Sequence, residues 1–231
     1  MRSAWAKYSS VLGHGQYGPH TDKQKQPRQS APETCLVNMM HTHTWGYRNK
    51  PRLELALYAR PKHPDSYHWA IFTAPKTSKG KPSRSVTKRH VLNTIQNVEG
   101  VVSQPWRYER VSIKDCTSEN RLLARIVIGK VLTLDPENDI EQSVGPLPIY
   151  QEDDRNQAKA KSFDCHSWCQ AAVEELWKDH VVSFKGSWDE MELEALNFVK
   201  KKKAEGRWGG EWKGPEGVPM FDLFTGTEIV A

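Results

Sequence analysis

Long apolar runs are missing from this sequence. No window of about 18 consecutive apolar residues occurs, so no segment reads as a membrane span. The opening MRSAWAKYSSVLGHGQYG has no apolar core of secretory-signal length. Cysteine is scarce: Cys35, Cys116, Cys165 and Cys169 stand in unlike surroundings without regular spacing, which argues against a disulfide framework and for a reducing compartment. A cytoplasmic protein without a transmembrane segment is expected. Acids are nearly absent from the start of the chain, where eight Lys/Arg stand against two acids over residues 1–52, a net of +6. The whole chain carries +5, so the remainder sums to −1 and presents no field of one sign to a nucleic acid. Nucleic acid is therefore not an expected partner. No internal repeat appears.

Tryptophan, by contrast, is plentiful. Nine of them in a chain of mean hydropathy −0.72 require a packed domain beside very polar ends. Residues 1–50, rich in Gln, Lys, Pro, Ser and His, read as a mostly disordered basic arm, and residues 51–204 as a single α+β domain. In RLELALYARP, Leu53, Leu55 and Leu57 alternate with Arg52, Glu54 and Ala56 in the period of a strand that ends at Pro61. YHWAIFTA reads as its hairpin partner, followed by a polar loop, PKTSKGKPSRSVTK. RHVLNTIQ, WRYERVSI and RLLARIVIGKVL complete an expected antiparallel meander of about five strands.

DPENDIEQSV reads as a short helix beginning near Asp135 with Pro136 at its first position, and GPLPIYQ as a brief extended segment. The strongest helical signal is SFDCHSWCQAAVEELWKDH, where Trp168, Ala172, Leu176 and Cys169, Val173, Trp177 form adjacent apolar stripes. A second helix spans roughly Trp188 to Lys203, acidic early and basic late, as the helix dipole favours. Residues 205–231 hold too many glycines and prolines for helix and read as an irregular tail docked through Trp208, Trp212, Met220, Phe221, Leu223 and Phe224.

Reactive chemistry centres on Cys165. With Ser162 or Asp164 as N-cap, Cys165 falls in the first turn of its helix, where free N–H groups and the dipole favour a thiolate. Its helical offsets put it on one face with Trp168 and Cys169, at the rim of the core. In YHWAIFT, His68 shares a strand face with Ala70 and Phe72, which leaves room for a helix end. His90 opens the next strand. A strand imidazole beside a helix thiol, with a second ring to orient the first, is the set nucleophilic cysteine catalysis requires. Cys165, His166, Cys169 and His180 lack a second close-spaced ligand pair, so no metal site is read, and His41 and His43 sit in the arm.

HWAIF, then RHVLN, then DCHSW opening a helix resembles the permuted papain-like group that includes the lecithin:retinol acyltransferase relatives and NlpC-type hydrolases, over roughly residues 53–180. YHWAIF, WRYE, RLLARIVIGKV and CHSW together are similar to an uncharacterised fungal protein family. The resemblance implies His68 as base, His90 as orienting group, Cys165 as nucleophile, and the backbone amides of Asp164 and Cys165 as oxyanion donors, with no cofactor. Asp164 stands where that group has Asn, and its carboxylate opposes the dipole's effect on the thiol. The implied activity is acyl hydrolysis or transfer on an amide, ester or thioester of a small molecule or peptide. The competing reading is a catalytically inactive scaffold that binds a partner.

Overall fold

A computed structural model describes residues 49–64, 66–76, 81–214 and 216–230. The disordered arm read over residues 1–50, with Cys35, His41 and His43, lies almost wholly outside the described residues. Among the described residues there are ten strands: β1 (Arg52–Ala59), β2 (Tyr67–Ala74), β3 (Val86–Leu92), β4 (Gln96–Val98), β5 (Val101–Ser103), β6 (Arg107–Ile113), β7 (Leu122–Val131), β8 (Val182–Phe184), β9 (Met220–Asp222) and β10 (Thr227–Val230). Four α-helices among the described residues accompany them: α1 (Pro136–Val144), α2 (Gln157–Ser162), α3 (Cys165–Lys178) and α4 (Trp188–Ala204).

The fold is α+β, built on one eight-stranded sheet in the order β10-β9-β7-β1-β2-β3-β6, with β8 also paired to β7. That is larger than the five strands expected, and the order is not a simple meander. β7 returns past the first hairpin to pair with β1, its edge beyond β1 being shared by β8 along its second half and β9 along its first. The tail read as irregular supplies β9 and β10, and β9 runs parallel to β7. β3 begins at Val86, inside the stretch read as loop. β4 and β5 form a separate small hairpin turning at Glu99 and Gly100, both with positive φ as a tight hairpin turn demands.

Alternation in the strands sends one set of side chains to each face. Leu53, Leu55, Leu57, Trp69, Ile71, Ala124, Ile126 and Ile128 meet the apolar stripes of α3 and α4 in the main core. Ala56, Tyr58, Ala70, Phe72, Ala74, Val86 and Leu122 fill a smaller core on the opposite face, with Cys116 from a 3₁₀ turn. Asp135 caps α1 and Pro136 opens it, as the sequence predicts. Gly129 of β7 lies where β8 comes closest: a Cβ there would collide with Val182.

Two buried arginines tie the layers together. Arg89 of β3 donates to Thr73 Oγ1 at 2.9 Å, Glu141 Oε2 at 3.1 Å and Glu137 Oε2 at 2.7 Å, fastening α1 to the sheet. Arg125 of β7 binds the Glu54 carboxylate of β1 through two nitrogens, at 2.8 and 3.1 Å, both side chains being about 2 % exposed or less. Burial pushes the Glu54 carboxyl up and Arg125 pulls it back. Removing one member strands the other in the small core, at about 3–5 kcal/mol, whereas an apolar pair of similar volume restores packing. Arg125→Met alone is expected to lower the urea midpoint sharply and Glu54→Leu/Arg125→Met to recover most of it. A single variant no worse than the double contradicts this account.

Candidate active site at the start of α3

The site begins with a helix cap. Asp164 is the N-cap: its side chain accepts from the Ser167 amide at 2.8 Å, and its own amide donates to Ser167 Oγ at 2.9 Å. This reciprocal box fixes the first turn, and it corrects one expectation. The Asp164 amide is already committed to Ser167 and is not free to serve an oxyanion; the first-turn amide of Cys165 has no acceptor within the helix and lies beside its own sulfur. Cys165 is 4 % exposed. Its Sγ lies 4.0 Å from the Tyr67 carbonyl oxygen of β2, and the Trp69 amide is directed at the same sulfur.

Those two β2 backbone groups can reach a sulfur because the neighbouring strand has left. β2 pairs with β1 along its whole length, but with β3 only at Ile71–Arg89, Phe72–Lys88 and Thr73–Thr87. Beyond Ile71 the ladder is broken. His68 and His90 belong, by alternation, to the face that holds Ala70 and Phe72, while α3 lies on the other. Across an unbroken sheet they would be shut off from Cys165; at the break all three residues line one cleft of about 640 Å³.

The rings meet there. His68 Nε2 and His90 Nδ1 are 2.8 Å apart, with the ring planes at 70°. Behind them stands a residue that the sequence reading did not single out. Glu109 of β6 is the cross-strand partner of His90, and its Oε2 lies 3.6 Å from His90 Nε2. His90 Nε2 is buried without a hydrogen bond, and Arg107 holds the Glu109 carboxylate at 3.2 Å. Once WRYERVSI is placed beside RHVLN, period-two pairing puts His90 and Glu109 on one face, which was the signal available.

The proton inventory follows. With Nε2 of His68 engaged by His90, Nδ1 is the ring nitrogen not taken up by the pair. For Nδ1 to accept a proton, Nε2 must donate to His90 Nδ1, and His90 then carries its hydrogen on Nε2, toward Glu109. Burial pushes His68 down to about 3, helped by His90, Lys88 and Arg60, and pushes His90 down to about 4, helped by Lys88 and Arg107. The helix start was expected to lower the Cys165 thiol. Burial instead raises it, Asp164 adds to the rise, and the Trp69 amide and Arg60 oppose it. The resting set is a neutral thiol beside two neutral imidazoles.

A family model matches residues 50–230, more than three quarters of the chain. The chain belongs to a family of unknown function, DUF6914. No curated protein and no solved structure matches it. The family match spans β1 through β10 and so contains every residue of the cleft. The described residues include no cluster of three or more His, Cys, Asp or Glu side chains able to hold a metal, and no helix among them is long and apolar enough to cross a membrane. Cys116 and Cys169 are buried free thiols away from the cleft lining.

The depressed histidines give the fold a pH dependence of definite sign. An unfolded histidine takes a proton below about 6.5, which the folded rings refuse until about 3 to 4, so stability is full above about pH 6.5 and drains as pH falls toward 4. Each ring adds a slope of up to about 1.4 kcal/mol per pH unit. Chemical denaturation between pH 7 and 4.5 is expected to show a shallower slope for His68→Gln/His90→Gln than for the native chain; equal slopes contradict the neutral buried pair.

Proposed function

We propose that the protein is a thiol-dependent acyl hydrolase or acyltransferase on a permuted papain-like scaffold, with base and orienting group on strands that precede the nucleophile's helix. The observation that carries this reading is the break between β2 and β3, where a helix-start thiol and a hydrogen-bonded imidazole pair open on one cleft. A carboxylate behind the second ring continues the line of polarisation. Membership of DUF6914 is compatible with it and names no activity.

In this mechanism the carbonyl of an amide, ester or thioester approaches Cys165. Sulfur bonds to the carbonyl carbon as the thiol proton passes to His68 Nδ1, and the oxyanion turns toward the Cys165 amide. Collapse expels the amine, alcohol or thiol, which takes the proton from His68. Water or an amine, deprotonated by the same nitrogen, then releases the acyl group from sulfur. Because the thiol and rings are neutral at rest, deprotonation accompanies attack rather than preceding it. His90 and Glu109 stabilise the imidazolium while it exists and hold His68 in the accepting tautomer. Substrates of the cytoplasm, small molecules or peptides, suit this reading.

One observation favours a second reading, a catalytically inactive scaffold that binds a partner in the cleft: burial and Asp164 raise the thiol, against the activation a nucleophile needs. Incubation with 4-nitrophenyl acetate and mapping of the adduct by mass spectrometry separates the two. Acylation is expected at Cys165, abolished in Cys165→Ala and slowed about 10²-fold or more in His68→Ala, with Glu109→Gln slowed less. Acylation elsewhere, or none, transfers the assignment to the binding reading.

A further inference from the structure

Several of the described basic side chains are held in ion pairs. Lys88 meets Glu119 at 2.7 Å, Arg107 meets Glu109, Arg110 meets Glu137, Lys202 meets Glu205 and Glu228, and Arg89 and Arg125 are paired as described. Arg60, Lys62 and Arg121 are different. All three are exposed, all three line the cleft that holds Cys165, and none makes an ion pair with a described residue. Glu119, the acid among the described lining residues, is already taken by Lys88 and by the Tyr58 hydroxyl at 3.1 Å. The cleft lining therefore carries three positive charges without an ion pair to a described residue, of which Arg60 acts on the thiol against Asp164, although the chain from residue 53 onward is close to electroneutral.

Arg121 carries a second, independent sign. Its φ is +71°, in the left-handed region, where a side chain with a Cβ is strained by about 1–3 kcal/mol and glycine is at ease. The turn is held there by the Ala59 amide, which donates to the Arg121 carbonyl at 2.8 Å. A backbone that needs only this carbonyl and this turn is served best by glycine, yet the position holds an arginine that lines the cleft. Arg60 lies on the strand end that this hydrogen bond anchors, one residue beyond Ala59, and its charge reaches both His68 and Cys165.

We propose that Arg60 and Arg121, with Lys62, form an oxyanion-recognition rim, so that the substrate of the Cys165 thiol carries a carboxylate or phosphate within a few bonds of the carbonyl attacked. This rests on the reading of Cys165 as nucleophile and adds the substrate class to it. Guanidinium groups suit either anion through paired N–H donors, and a rim of one sign raises the local concentration of an anionic substrate. It also retains neutral substrates poorly.

Iodoacetate and iodoacetamide test the rim on the full chain, because they place the same reacting carbon next to a carboxylate or to an uncharged amide. With β-mercaptoethanol as uncharged reference thiol, the iodoacetate-to-iodoacetamide rate ratio at Cys165 is expected to exceed the reference ratio by about tenfold at low salt, and to fall toward it at roughly 0.5 M NaCl. Arg60→Gln and Arg121→Gly should each remove most of the preference, and Arg121→Gly should fold at least as well as the native chain, since it relieves the strained φ. A ratio equal to the reference overturns the anionic rim while leaving the acyl-transfer reading intact. If neither reagent modifies Cys165, the acyl-transfer reading falls, and the rim is decided by titrating Cys165→Ala with glutarate and with inorganic phosphate by calorimetry. Binding lost in Arg60→Gln and Arg121→Gly supports the rim and shows which anion it prefers; binding of neither overturns it.

Discussion

The ladder between β2 and β3 ends after three residue pairs, and the chemistry available to the molecule depends on that ending. A strand between two partners spends its amides and carbonyls on them and separates its two faces completely. Here the stretch of β2 from Tyr67 to Ala70 keeps β1 on one side and loses β3 on the other. Its free backbone edge receives the sulfur of Cys165 from the helical side, while the side chain of His68 stays on the opposite face and meets His90 across the opening. The divergence does not leave β3 adrift, because β3 is paired with β6 along its full length and Arg89 binds it to α1.

Electrostatically the site is assembled from groups that are neutral until something happens to them. Burial governs both histidines and the thiol, and it disfavours their charged forms in each case. The helix dipole, the Trp69 amide and the Arg60 charge work in the other direction for sulfur and do not prevail. Thiol and imidazole at rest form no thiolate–imidazolium pair, so the free energy of charge separation must come from the developing oxyanion and from the line of His68, His90 and Glu109. The same burial pushes the Cys169 thiol, one turn further on, well above its usual range.

Much of this was legible in the residues. The stripes of Trp168, Ala172 and Leu176, the Pro136 start of α1 and the alternation of Leu53, Leu55 and Leu57 are local signals, and local hydrogen bonding decides those elements. The pairing of His68 with His90 followed from two strands adjacent in sequence. Three things were not legible. The strands β8, β9 and β10 are three or four residues long and exist because β7 offers them an edge, which no short-range pattern encodes. The sheet face of His68 relative to α3 could not be read, because alternation assigns a face and says nothing of where a ladder breaks. The weight of burial on Cys165 was missed for a related reason: a first-turn position is visible in sequence, but the wall of Trp69, Trp168 and β2 around it is tertiary.

The parallel seat of β9 against β7 has a consequence for how the chain reaches this state. β7 is central, flanked by β1 on one side, yet half of its other edge waits for Met220–Asp222, about ninety residues later, with the Pro219 carbonyl accepting from Arg125. The hairpin of β1 and β2, and then β3, β6 and β7, come earlier in the chain, and β7 holds an open backbone edge until β9 is in place. Such a delay lengthens the interval in which an unsatisfied edge can pair with a neighbouring nascent chain. The late return of β9 therefore bears on how the chain folds as much as on how the finished sheet is held.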